Sequence, residues 1–334
     1  MFDTHYDLLT IAYNSYIKND YSYLEKISKY FRDNNVRGVI ANLYFMSREE
    51  MNEELGPNYY QDSISVYDMF VKAKEVLDVF LPDTEILYSI EGADYIKDTQ
   101  ELEDLYDAGL DSLILCWNTE SKYGSGIRSN KGLTASGREL VERAIELGIG
   151  IDLSHANINT FNDLVDLIKE KQDEGYDVVT YASHSNVRSL CDRERNLYDW
   201  QIDRLNEIDA LIGIFSNKGF VVDPSIGEEN FNNRKMYVYH IDYASRIVGF
   251  DRLVVATDDM DFCSDTVPEY GDRNIYDYNS IYNDLGHDLI RCFGVDNAYK
   301  MLYSNSHEKI YNRIRENREK KRGKVYDRHK INKR

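Results

Sequence analysis

In the segment DTHYDLL a histidine and a carboxylate, His5 and Asp7, stand two positions apart. On an extended strand that spacing turns both side chains to one face, which suits chelation of a metal ion. Glu91 follows the apolar run EILYSI and precedes Gly92, so a carboxylate is held at the mouth of a core, where it needs a cation or a hydrogen-bonding partner. His155 in IDLSHAN and His184 in YASHSN each end an apolar run, and each follows a serine. Neighbouring strands lie about 4.8 Å apart, close enough for two such imidazoles to share one ion.

Asp258, Asp259 and Asp261 crowd the end of RLVVATDDMD. A carboxylate that does not ligate metal can accept a hydrogen bond from bound water and carry a proton to a leaving amine. Asp259 is a candidate for this role, and spacing alone does not separate it from Asp258. Trp117 and Asn118 end the run SLILCWN.

These residues close a series of eight short β-rich apolar runs, at 2–9, 36–45, 85–92, 112–118, 150–156, 178–185, 210–217 and 252–261. Longer segments of helical period lie between them, such as TASGRELVERAIELG, with Thr134 as N-cap and Gly148 as its stop. Eight alternating βα units predict a (β/α)8 TIM barrel, an α/β fold whose active site is built at the C-terminal ends of the strands. A doubly wound sheet is the alternative, but it usually carries a glycine-rich phosphate turn after its first strand, and DTHYDLL has none. With only 4 Pro and no Ser/Gly-rich linker, one barrel domain is expected over residues 1–312, followed by a basic tail over 313–334.

That tail holds eleven Lys/Arg against three Asp/Glu, a surplus of +8 within a chain of net charge −19, and it reads as a solvated helical extension. The acidic body argues against a nucleic-acid partner, because phosphate contacts need surplus cations. A hydrophobic fraction of 42% over 334 residues supports a globular core. Cys116, Cys191, Cys263 and Cys292 are too scattered for a zinc knuckle or a disulfide framework, so a reducing, cytoplasmic location is expected. No run approaches the roughly 20 apolar residues of a membrane span, and MFDTHYDLLT lacks signal-peptide features, so no membrane partner is expected. Assembly into a homo-oligomer is left open.

The segments DTHYDLL, SIEGADYI, GLTASGRELVERAIELGIGIDLSHAN, YASHSNVRSLCDRERNL and VVATDDMDF together resemble the membrane dipeptidase (renal dipeptidase) family of zinc metallopeptidases, a branch of the amidohydrolase barrels. The likeness spans about residues 2–312. It implies two Zn2+ ions, one held by His5 and Asp7, the other by His155 and His184, with Glu91 bridging them. It also implies that Asp259 is the acid/base residue and that Arg195, in DRERN, binds the free carboxylate of a dipeptide substrate.

Two departures stand out. Animal members of the family carry a carbonyl-polarising histidine at the end of strand four, where this chain has Trp117 and Asn118. The indole N–H or the amide is then the available substrate-binding donor. The glycine-rich end of strand eight reads TDDMDF here, with Phe262 at a usually small position.

The expected chemistry is dipeptide hydrolysis, in which the ions lower the pKa of a bridging water and Asp259 delivers the proton to the departing amine. Ligand type leaves manganese, iron or cobalt as other candidates. The rival readings are a barrel hydrolase acting on another amide or a lactone, and a non-catalytic barrel that keeps only a binding role.

Overall fold

Each of the eight apolar runs forms a strand: β1 Phe2–Tyr6, β2 Gly38–Tyr44, β3 Glu85–Glu91, β4 Leu110–Ile114, β5 Gly150–Asp152, β6 Thr180–Ala182, β7 Leu211–Phe215 and β8 Leu253–Ala256. They pair in parallel in chain order, each strand beside the next. With helices following the strands, this is a (β/α)8 barrel. The computed structural model describes residues 1–44, 65–223, 233–258, 274–276 and 281–321.

Parallel strands covered on both faces must bury both sets of alternating side chains. In β3, Ile86, Tyr88 and Ile90 pack outward against the helices, while Leu87 joins an inner cluster with Phe2, Ile40, Val179, Tyr181, Leu211 and Val254. The same alternation carries Ser89 and Glu91 to the inside. Glu91 therefore ends the inward row of its strand, above an apolar floor.

Strand β1 does not keep this alternation. Phe2 lies in the inner cluster and Tyr6 in the outer one, although both sit on even positions. The register against β2 shifts between Asp3 and Tyr6, and this irregularity turns His5 into the barrel. Asp3 is left at the seam facing β8.

Close approach inside the barrel fixes one glycine. A Cβ on Gly213 of β7 would lie 1.7 Å from the carbonyl oxygen of Ser183, so only glycine fits. The helix Ala135–Leu147 forms as its sequence predicts, with Thr134 Oγ1 accepting from Gly137 N at 3.0 Å and Gly148 ending it at φ 81°. Its buried side, Leu140, Val141, Ala144 and Ile145, recurs at helical spacing and packs on the strands.

The C-terminal segment departs from expectation. Residues 313–321, assigned above to a solvated tail, continue the last helix and close the bottom of the barrel. Ile310 and Ile314 enter the inner cluster. Arg315 and Arg318 both reach Asp111, at 3.1 and 3.3 Å, and Arg318 also donates to the carbonyls of Tyr106 and Leu110. Two of the charges that suggested a solvated extension, Arg315 and Arg318, are anchors, so the packed body runs beyond residue 312. Residues 322–334 lie outside the described residues.

Candidate metal centre

Glu91 stands between two imidazoles. Its Oε2 lies 3.2 Å from Nε2 of His5, and its Oε1 lies 2.9 Å from Nε2 of His155 and 3.8 Å from Nε2 of His184. The two Nε2 atoms of His155 and His184 are 2.9 Å apart. On the other flank, His5 Nε2 is 3.9 Å from Asp7 Oδ1 and 3.8 Å from Asp258 Oδ1. Five expected ligands, from four segments of chain, thus converge on one buried cluster.

Supporting contacts aim each ring. The amide of Asn42 on β2 meets Nδ1 of His5 at 3.1 Å, Ser183 Oγ meets Nδ1 of His184 at 2.8 Å, and Asn118 Oδ1 meets Nδ1 of His155 at 3.1 Å. All three leave Nε2 facing Glu91. Strand β5 ends at Asp152 and not at His155. Beyond it the chain turns, and His155 adopts the left-handed region at φ 69°. The Asp152 carboxylate holds this departure by accepting from Ser154 N at 2.9 Å and Ser183 N at 3.1 Å, tying the β5 and β6 ends together. Such backbone conformations persist only where surrounding contacts enforce them.

The electrostatics suit a cation. Burial opposes a charge on His5, but Glu91, Asp258 and Asp7 outweigh it and hold the imidazole up at about 10. Burial and the nearby Arg195 push His155 down to about 3, and burial with His5 pushes His184 well below the usual imidazole range. Two neutral rings with Nε2 lone pairs and a cluster of carboxylates therefore face one another. Burial and Glu91 raise Asp7 well above the ordinary carboxylate range, and burial lifts Asp258 to about 6. Among the described residues, His5 Nε2 and Asp7 Oδ1 are buried with no well-aligned hydrogen-bond partner, an arrangement that a bound ion would satisfy. Imidazole and carboxylate donors fit zinc and the other borderline divalent ions.

Arg195 is buried at the same mouth, with Nη2 donating to the carbonyl of His184 at 3.1 Å. Trp117 is half-buried, its ring 6.1 Å from that of His155 and edge-on to Tyr44 at 5.0 Å. The next segment folds back over this end of β4: Arg128 N donates to Asn118 O at 2.7 Å, and a Cβ on Gly126 would lie 1.7 Å from Trp117 O. Asn118 is fixed by this crossing and orients His155 through its amide oxygen. Asp259 lies outside the described residues, whereas Asp258 sits beside His5. Sequence reading passed over Asn42 and Asp152 and noted the serine before His184 without giving it a role; the signal available for Asp152 was an Asp within IDLSH.

The family model for membrane dipeptidase, Peptidase family M19, matches residues 65–305. That span contains Glu91, His155, His184 and Arg195, while His5 and Asp7 precede it. An uncharacterised Acinetobacter calcoaceticus protein from the PQQ-III 3′ region is 28% identical over 47% of this chain and 50% of its own length. An uncharacterised dipeptidase of Schizosaccharomyces pombe is 27% identical over 49% of this chain and 39% of its own length. The chain thus spans half or less of these two relatives. Among solved structures, a Rhodobacter sphaeroides metallopeptidase liganded with a phosphinate mimic of the dipeptide L-Ala-D-Ala is similar, with TM-score 0.70 and 18% identity over 94% of this chain and 98% of that one.

Proposed function

The chain belongs to the membrane dipeptidase family, Peptidase family M19, and we propose that it hydrolyses the peptide bond of dipeptides at a two-zinc centre formed by His5, Asp7, Glu91, His155 and His184. The observation that carries this reading is the division of the Glu91 carboxylate, one oxygen toward His5 and the other toward His155 and His184. A carboxylate so placed can bridge two ions. When bound, such ions supply Lewis acidity to a carbonyl oxygen and a nucleophile from water near neutral pH.

The protein's own residues supply the rest. Asn42, Asn118 and Ser183 keep the Nε2 atoms of the three imidazoles aimed at the centre. The Asp258–Asp259 pair at the end of β8 offers the carboxylate that carries a proton to the departing amine; Asp259 is our assignment, beside an Asp258 already in the cluster. Arg195 supplies the buried cation for the free carboxylate of the dipeptide, in a chain whose overall charge of −19 would otherwise repel an anion. Trp117 and the Asn118 amide nitrogen are the groups assigned to the substrate carbonyl.

The dipeptide mimic bound by the Rhodobacter relative has a D-residue at its C-terminal position, which supports including L,D-dipeptides among the substrates. The free thiols of Cys116, Cys191 and Cys292 support a reducing compartment such as the cytoplasm. Among the described residues, no helix is long and apolar enough to cross a membrane. The test is a panel of L,L- and L,D-dipeptides set against lactones, with the zinc-loaded protein. Dipeptide turnover is expected, and turnover of lactones alone would overturn the reading.

A further inference from the structure

The barrel has a seam. Hydrogen-bonded pairing runs from β1 to β8 in order, and among the described residues no ladder joins β8 back to β1. The seam is crossed instead by side chains and one backbone bond. Thr4 Oγ1 donates to the carbonyl of Val255 at 3.0 Å, and Asp258 N donates to the carbonyl of His5 at 3.2 Å.

The centre of this crossing is Asp3, which is fully buried. Its Oδ1 accepts from His5 N at 3.2 Å and from Thr257 N at 3.0 Å, and its Oδ2 accepts from Thr257 Oγ1 at 2.6 Å and Tyr282 Oη at 3.0 Å. Thr257 directly precedes Asp258, and Tyr282 opens the helix Ile281–Tyr299. One carboxylate therefore grips both ends of the chain that leaves β8 and returns as the next helix. It also grips the backbone of His5. The Tyr282 ring is held in turn, stacked on Tyr30 at 5.5 Å and edge-on to Phe31 at 6.0 Å, so its hydroxyl is presented from a fixed direction.

Burial raises the Asp3 carboxyl above its ordinary range, and the hydrogen bonds from Thr257, His5 and Tyr282 oppose that shift. Two backbone N–H groups converge on Oδ1 and two hydroxyls on Oδ2, so all four contacts meet on this one carboxyl group. Asp258 follows immediately at φ 48°, a left-handed conformation that needs outside support, and its Oδ1 stands 3.8 Å from His5 Nε2. The geometry points to Asp3 as a positioning residue, a staple that fixes Asp258, just beyond β8, against His5 of β1 across the open seam. The inference rests on the peptidase reading only for its catalytic consequence.

Tyr282→Phe removes one hydroxyl contact while keeping the ring packing, and Asp3→Ala removes all four contacts; the first keeps the test available if the second folds poorly. Hydrogen exchange of the peptide spanning 253–258 is measured on zinc-loaded protein without substrate, beside zinc content and dipeptide kinetics. Both variants should retain zinc, and exchange should quicken about 10-fold, the scale of one lost charged hydrogen bond. kcat should fall about 10-fold or more with KM nearly constant, since displaced catalytic groups lower turnover rather than binding. Wild-type exchange in both variants would overturn the staple. Faster exchange with unchanged kcat would overturn positioning and leave a purely structural role. A wild-type protein that cleaves no dipeptide fails the peptidase reading alone, because the exchange measurement needs no substrate and still decides the staple.

Discussion

Nε2 of His155 lies 2.9 Å from Oε1 of Glu91, while the other oxygen of that carboxylate faces His5 at 3.2 Å. A group shared in this way belongs to both halves of the centre. Glu91→Gln, which keeps the shape and removes the charge, should therefore lower zinc content below the roughly two equivalents expected of the wild type. Elemental analysis decides it: two retained equivalents would remove Glu91 from the bridging position.

Asn118 holds His155 through Nδ1, and His155 in turn occupies a strained backbone position. Loss of such outer support typically weakens metal affinity about 10- to 100-fold. Asn118→Ala should show that loss in a chelator competition, in one class of site only. Uniform weakening of both classes, or none, would separate Asn118 from His155.

His240 gives the fold a pH dependence away from the centre. Its Nδ1 accepts from Val187 N at 3.0 Å and its Nε2 donates to Val221 O at 3.0 Å, so the ring is held neutral. Burial pushes it from 6.5 down to about 4. Between these values the unfolded chain binds the extra proton and the folded one does not. The contribution is therefore complete above pH 6.5 and is lost as pH falls toward 4, by about 3 kcal/mol in all. Urea midpoints from pH 7 to 4 should fall with this profile. His240→Phe should be less stable at pH 7 and show a shallower acid slope; an unchanged slope would assign the acid sensitivity elsewhere.

The bottom plug predicts a second stability effect. A chain ended at residue 312 loses Ile314 from the inner cluster and strips Asp111 of Arg315 and Arg318. Breaking a buried ion pair by removing one partner costs about 3–5 kcal/mol, and a lost buried aliphatic side chain adds about 2–5. The truncated chain should melt far lower or fail to fold. A melting temperature near that of the full chain would contradict the assignment of residues 313–321 to the body.

The eight strands were legible because parallel strands covered on both faces read as nearly continuous apolar runs, and the barrel rule then directs attention to the residues that end them. His5, Asp7, Glu91, His155 and His184 were found in that way, and the structure gathers them. What was hidden depends on departures from ideal periodicity. The register shift in β1 separates Asp3 from His5 in direction, which an alternating pattern does not reveal. The early end of β5 makes His155 a turn residue held by Asp152 and Asn118. Arg195 reads as a surface charge within DRERN, yet it is buried against His184. The tail misled for a similar reason: a high charge count concealed one isoleucine, Ile314, and two arginines, Arg315 and Arg318, with buried partners.

The most direct test is kcat/KM of the zinc-loaded chain for dipeptides and their C-terminal amides, in the wild type and in Arg195→Met. The wild type should hydrolyse the free acids and discriminate against the amides. The variant should lose about 10- to 150-fold toward the acids, the equivalent of a charged hydrogen bond worth about 1.5–3 kcal/mol, and the gap to the amides should narrow. A folded, zinc-loaded wild type that cleaves neither compound would contradict the account.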